Sequence, residues 1–295
     1  MKLGLGTVQF GLDYGITNAT GRTPAAEVHA ILAECAAQGI DTLDTAALYG
    51  ESESVLGRHL PRPHNFRIVG KTLHLDHECP LPEALDAVRA GVHRSLARLG
   101  ETKLDALLVH RVDDLLGPAG DALFKELVAL REAGLVEKIG ASVYTPAEVA
   151  VLTERYALQI VQLPLNVFDQ RMLASGTLTD LRRRDIEIHV RSAFLQGVLL
   201  TGNPQELPAG LAALQPALMQ FGDCLRTRGI SPLAGTLGFL KSLKAIDVVV
   251  CGASRLAEWH EISETFSALP DLPPELFKNL AQNDVNLIDP RRWRR

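Results

Sequence analysis

Few residues of this chain are of the types that tie a protein to metal, disulfide, membrane or nucleic acid. The 295 residues contain four cysteines, and Cys35, Cys79, Cys224 and Cys251 are widely scattered, with no CxxC pair and no histidine at ligand spacing. Neither a zinc site nor a disulfide framework is expected from them, and no other metal is implied; reduced thiols in a cytoplasmic protein are the simplest expectation. Long apolar runs are missing too, since nothing approaches the roughly 18 residues that a membrane span needs. Met1-Lys2 followed by LGLGTVQFG is too short and too rich in glycine for the apolar segment of a signal peptide. Charge of one sign is likewise scarce, with 30 Lys and Arg against 35 Asp and Glu for a formal net charge of −5. That balance offers a nucleic acid no electrostatic footprint. The one basic concentration, RRWRR at 291–295, reads as a solvated tail.

What remains is an ordinary globular composition, 46% hydrophobic and 22% charged, on a chain long enough to bury a large core. Eight short β-type runs recur, at 2–7 (KLGLGT), 40–45 (IDTLDT), 66–71 (FRIVGK), 104–110 (LDALLVH), 136–141 (VEKIGA), 159–163 (QIVQL), 186–191 (IEIHVR) and 246–251 (IDVVVC). They are rich in Ile, Val and Leu and often continuous rather than alternating, as expected of strands with helices on one side and a barrel interior on the other. Helical patterns lie between them. Thr23-Pro24 opens one that ends at Gly39, Glu51 to Leu60 forms another, and Pro82 to Leu99 and Asp121 to Ala133 are stopped by Gly100 and Gly134. Thr145-Pro146 begins a fifth. Asp169 to Arg184 and Leu211 to Arg228 fill the next intervals, Leu233 to Leu243 adds an apolar segment, and Leu256 to Leu269 follows the last strand. This alternation predicts an α/β chain folded as a closed (β/α)8 TIM barrel, one domain over 1–295. The rival, an open doubly wound sheet, would carry GxGxxG on its first strand-to-helix turn, whereas Gly4-Leu5-Gly6 lies inside the first run.

Polar residues stand at the ends of three consecutive runs: Asp44 and Tyr49 in DTAALYG, Lys71 in IVGKT and His110 in LLVHR. Singly each has an ordinary reading, as a cap, a packed aromatic, a solvated amine or a core imidazole. Together they sit where active sites of this barrel form. To reduce a carbonyl, hydride must reach carbon while a proton reaches oxygen, and a phenol is a sluggish acid at neutral pH. An ammonium beside it stabilises phenolate and lowers its pKa, and a carboxylate holds that ammonium in place. Tyr49 is thereby expected as general acid, Lys71 as its activator, Asp44 as the anchor of Lys71, and His110 as the group that orients the carbonyl. Downstream, CGAS at 251–254 looks like a phosphate turn.

In this order DTAALYG, GKT and LLVH resemble the aldo-keto reductase superfamily, whose Asp, Tyr, Lys and His stand on a (β/α)8 barrel. LGLGTVQFG, GASVY at 140–144, QGVLLTG at 196–202 and CGASRLAEWHEI are similar to further segments of that family, so the resemblance covers nearly the whole chain. It implies contacts from Ser142 and Gln162 to the nicotinamide amide, from Ser192 and Leu195 to Gly197 to the pyrophosphate, and from Gly252 to Ser254 and Arg255 to the adenosine phosphate. Arg255 with Ser254 then favours NADPH over NADH. The chain departs from the family at Arg191, where an aromatic usually stacks on nicotinamide, at Ala193 in place of a proline, and at Glu261-Ile262 in place of Glu-Asn. A guanidinium can also stack on a ring, but its charge disfavours the oxidised cofactor.

The expected protein is a cytoplasmic, NADPH-preferring oxidoreductase interconverting an aldehyde or ketone with its alcohol. Tyr14, Arg111, Asp113, Asp114, Phe194 and Trp293 are expected around a polar, sugar-like substrate. Two alternatives stay open: an aldolase or lyase in which Lys71 forms a Schiff base, and a low-turnover regulatory barrel that senses NADPH.

Overall fold

Each of the eight apolar runs becomes a strand. The computed structural model describes residues 1–18, 20–201, 203–268 and 272–293. Its strands are β1 (Lys2–Gly6), β2 (Thr42–Asp44), β3 (Arg67–Lys71), β4 (Leu104–Val109), β5 (Val136–Ser142), β6 (Ile160–Pro164), β7 (Glu187–Arg191) and β8 (Val248–Gly252). Every neighbouring pair is parallel, and β8 returns to pair with β1, which closes the (β/α)8 barrel.

Side chains alternate along a strand with a period of two. Val69, Ala106, Leu108 and Ile160 form a small buried cluster separate from the main core, as residues facing the barrel axis do. Two positions beyond Val69, Leu108 and Ile160 come Lys71, His110 and Gln162, so the same alternation lifts polar groups onto the C-terminal rim above an apolar plug. The main core lies between strands and helices, where Trp259, Phe168, Phe221, Phe239 and Phe277 are fully buried. Each such side chain contributes roughly 1.5–3 kcal/mol through its burial.

The outer layer contains α1 (Ala25–Ala37), α2 (Ser52–His59), α3 (Leu81–Leu99), α4 (Gly120–Glu132), α5 (Pro146–Arg155), α6 (Thr177–Arg183), α7 (Gln215–Arg226), α8 (Pro232–Ser242) and α9 (Leu256–Ala268). Gly39, Gly100 and Gly134 follow α1, α3 and α4 with φ of 70°, 68° and 76°, which a side chain would strain. α5 has a full capping box: Thr145 Oγ1 accepts the Glu148 N–H at 3.2 Å and the Glu148 carboxylate accepts the Thr145 N–H at 2.9 Å. Thr145→Ala is therefore expected to destabilise the fold by about 1 kcal/mol. A urea midpoint unchanged by the substitution would show that this cap is redundant.

Three expected boundaries shift, each for a local reason. The Asp169–Arg184 helix is two pieces, Arg171–Ala174 and α6, because Gly176 takes φ 78° between them. Asp169 stays outside both and grips the Arg171 guanidinium at 2.8 and 2.7 Å. The Leu211 helix begins as a 3-10 turn, Ala209–Leu214, and becomes α-helical from Gln215, where Pro216 needs no N–H partner. α1 starts at Ala25, with Pro24 in the cap position. Leu269, Arg294, Arg295 and Gly202, which belong to expected segments, lie outside the described residues. No helix among the described residues is long and apolar enough to cross a membrane.

Candidate active site

The strand ends and the turn after β2 bring the four expected polar groups together, with Asp44 and Lys71 buried and Tyr49 and His110 half-buried. Lys71 Nζ donates to Asp44 Oδ1 at 2.6 Å and to the Thr45 carbonyl at 3.0 Å, with both side chains almost wholly buried. A cation so deep needs such a partner, because desolvation disfavours its charge. The other carboxylate oxygen, Asp44 Oδ2, accepts from Gln162 Nε2 at 2.6 Å. Lys71 Nζ also lies 5.0 Å from the centre of the Tyr49 ring, and that ring meets His110 edge to face at 5.7 Å. His110 receives His74 on another side at 5.5 Å, and its Nδ1 is buried without a partner.

The electrostatics differ in one respect from expectation. Burial, followed by the nearby Asp44 charge, holds the Tyr49 phenol well above its ordinary pKa near 10, with Arg191 opposing. Desolvation thus outweighs any lowering by Lys71, and the phenol keeps its proton. Burial lowers the Lys71 pKa, against which Asp44 acts. Burial, with the Lys71 charge adding to it, depresses His110 to about 3, so the imidazole is neutral at physiological pH.

Tyr49, His110 and Asp44 line a pocket of about 800 Å³ together with Ser142, Gln162, Arg191, Ser192, Gln196, Gly197, Gly252 and Ser254. Its size is that of ordinary small-molecule sites. Leu195 is fully buried in the core instead, leaving only its backbone for the loop, and exposed Arg255 lies outside the lining. Ser192, Leu195 and Gln196 have φ of 59°, 49° and 54°, a concentration of strain typical of functional loops. At Gly197 a Cβ would meet Thr17 Oγ1 at 1.9 Å, and Thr17 Oγ1 donates to the Gln196 carbonyl at 3.2 Å. The loop after β1 therefore lies directly across the loop after β7.

Residues that a nicotinamide dinucleotide needs are present. Gln162 Oε1, paired in register with Ser142, is a buried acceptor without a donor among the described residues, which suits a carboxamide N–H. Ser254 N–H donates to the Glu258 carboxylate at 2.8 Å and Leu256 N–H to the Glu27 carboxylate at 2.6 Å. Two carboxylates of the chain itself thus hold amides at the start of α9, where a phosphate would otherwise be attracted.

Several roles were invisible in the sequence. Tyr144 is sandwiched between Arg191 (4.0 Å from Cζ to ring centre) and Arg291 (3.2 Å). Arg291, read as part of a solvated tail, instead lines the pocket and pairs with Asp289 at 2.6 Å. Tyr14 and Phe194 line the pocket as expected of substrate loops. Arg111 is committed to buried Asp114 and to the Leu75 carbonyl, and Trp293 packs against the core, so neither reaches the lining. Asp113 is exposed and also lies outside it.

Comparison with known proteins identifies the family and the fold. Residues 2–283 match the family model described as the aldo/keto reductase family. The chain is similar to 6-dehydroglucose reductase of Agrobacterium fabrum, 26% identical over 271 residues that cover 86% of each protein. It is 34% identical to D-arabinose 1-dehydrogenase of Saccharomyces cerevisiae over 112 residues, 36% of this chain and 33% of the yeast protein. Among solved structures, the holo form of an aldo-keto reductase from Bacillus halodurans superposes with a TM-score of 0.77 at 21% identity, covering 99% of this chain and 95% of the other. A glycerol dehydrogenase from Gluconobacter oxydans gives 0.70 at 21% identity, over 98% and 92%. These two structures share the fold.

Proposed function

We propose, from the premise that this chain belongs to the aldo/keto reductase family and is an NAD(P)H-dependent oxidoreductase interconverting carbonyl and alcohol groups, that Tyr49 is its general acid. The observation that carries the assignment is the meeting of Asp44, Tyr49 and His110 in the pocket lining with Lys71 packed behind them. The bound cofactor supplies hydride to the carbonyl carbon. Tyr49 Oη gives its proton to the carbonyl oxygen, and neutral His110 fixes that oxygen by hydrogen bonding. Lys71 stabilises the phenolate left behind, while Asp44 and Gln162 hold Lys71 and each other in register. Burial keeps Tyr49 loaded at rest, and Lys71, close to its ring, offsets part of the cost of forming the phenolate.

NADPH is the proposed carrier, its 2′-phosphate held by Ser254 and by exposed Arg255, with NADH the weaker ligand. Ser142, Gln162, Ser192, Gly197 and Gly252 line the remainder of its path, with Leu195 contributing backbone. Glu27 opposes a phosphate at the start of α9. Glu27→Gln should therefore tighten NADPH severalfold, about one close charge repulsion seen through solvent, and leave NADH unchanged. Fluorescence titration of both cofactors measures this, and equal tightening of the two would remove the phosphate from this place.

We place the protein in the cytoplasm as one barrel domain over 1–295, with a small polar carbonyl compound as its partner and neither nucleic acid nor membrane. Relatives named for 6-dehydroglucose, D-arabinose and glycerol support a sugar-like substrate, as does a pocket lined by Tyr14, Arg191 and Arg291. An absorbance screen at the nicotinamide band, with aldehydes, ketones and reducing sugars, tests the proposal. No NADPH oxidation with any of them would leave the sensing alternative in its place. A Schiff base on Lys71 is disfavoured by its ion pair with Asp44; borohydride trapping of substrate on Lys71 would reverse that judgement.

A further inference from the structure

Lys71, Arg291 and Arg111 each face a carboxylate, from Asp44 at 2.6 Å, Asp289 at 2.6 Å and Asp114 at 2.7 Å. Arg191, which lines the pocket together with Arg291, has no carboxylate in ion-pair contact among the described residues. Its guanidinium lies over the Tyr144 ring and donates to the Val143 carbonyl at 2.9 Å and the Ser192 hydroxyl at 3.3 Å. These contacts fix its position, and the Asp289 carboxylate, which feels its charge from beyond ion-pair distance, is already paired with Arg291. That charge reaches the reacting end, where it disfavours protons on Tyr49, Lys71 and His110 alike.

Hydride transfer requires the nicotinamide carbon about 3–3.5 Å from the carbonyl carbon. A carbonyl oxygen at Tyr49 and His110 therefore puts the ring in the same pocket as Arg191. Reduction consumes NAD(P)H and one proton: hydride goes to carbon, the Tyr49 proton goes to oxygen and is replaced from solvent, and NAD(P)+ remains. The ring is neutral before this step and carries one positive charge after it.

We propose that Arg191 makes the site discriminate between the two redox forms, loading the reduced cofactor and expelling the oxidised one, so that the protein works as a reductase in a mixed cofactor pool. The inference rests on the proposed function in needing the ring at the Tyr49 end of the pocket. It goes beyond it by assigning a direction, which the Asp44, Tyr49, Lys71 and His110 cluster serves equally both ways. The same charge opposes positive charge developing on the ring during hydride departure. Arg191 therefore favours turnover where release of the oxidised cofactor, rather than chemistry, sets the rate.

The test is direct binding of NADPH and NADP+ to the full chain by fluorescence and calorimetry, for wild type, Arg191→Gln and Arg191→Lys. Wild type should bind NADPH at least about tenfold more tightly than NADP+, as a charge repulsion inside a pocket requires. Arg191→Gln should bring the two affinities together, chiefly by tightening NADP+, and Arg191→Lys should keep them apart. Equal affinities in wild type, or a ratio unmoved by Arg191→Gln, would overturn the proposal. Should Arg191→Gln not fold, Arg191→Met serves, and the wild-type ratio still decides. Absence of binding of either form to wild type is a different result: it removes the proposed function and this inference with it.

Discussion

Tyr49→Phe should lower the rate of carbonyl reduction by about 10²–10⁴-fold, the range a positioned general acid supplies, and leave cofactor affinity nearly unchanged. The ring survives the substitution, and with it the edge contact to His110 and the face toward Lys71; the missing atom is the proton-bearing oxygen. The pH dependence follows from the direction of the shifts. A phenol held above its ordinary pKa stays protonated through neutral and moderately alkaline pH, so wild-type reduction should not decline there through loss of this proton. Protonation of His110, depressed to about 3, gives no acid limb near neutrality either. Steady-state rates from pH 5 to about 10 check both, that span bracketing the ordinary His and Tyr values. A Tyr49→Phe protein with full turnover would transfer the acid role to another group.

Lys71→Met should destabilise the folded protein by about 3–5 kcal/mol, as removal of one partner from a buried ion pair does. Methionine fills much of the volume but leaves the Asp44 carboxylate with only the Gln162 amide. The double change Asp44→Asn with Lys71→Met removes the stranded charge and should recover most of the loss. Urea unfolding of the two variants separates these outcomes. A single variant as stable as wild type would mean that water compensates the Asp44 carboxylate at little cost. Both variants should have lost activity, since neither can stabilise the phenolate.

The barrel was legible because its strands are buried on both faces and read as continuous Ile, Val and Leu runs, such as 246–251 and 104–110. Glycine stops at 39, 100 and 134 marked helix ends that the left-handed backbone there explains. The break at Gly176 was not legible, since an isolated glycine in an amphipathic stretch is usually tolerated. In the site, Asp44 and Lys71 stood out as charges closing apolar runs. Gln162 was expected only as a nicotinamide contact; its tie to Asp44 was not legible, because it spans 118 positions. Arg291 was misread for the opposite reason: among clustered arginines, composition points to solvent, and only the packing on Tyr144 shows otherwise.

The carboxylate of Glu27, carried by the first helix, fastens the opening amide of α9, the last β/α unit's helix. It is a stitch across the seam where the two ends of the ring of strands are sewn together by β1 and β8. A phosphate arriving at that amide must unpick this stitch before replacing it. The observed affinity for NADPH accordingly already carries the cost of breaking this contact, and the Glu27→Gln protein should melt earlier yet gain more on binding NADPH.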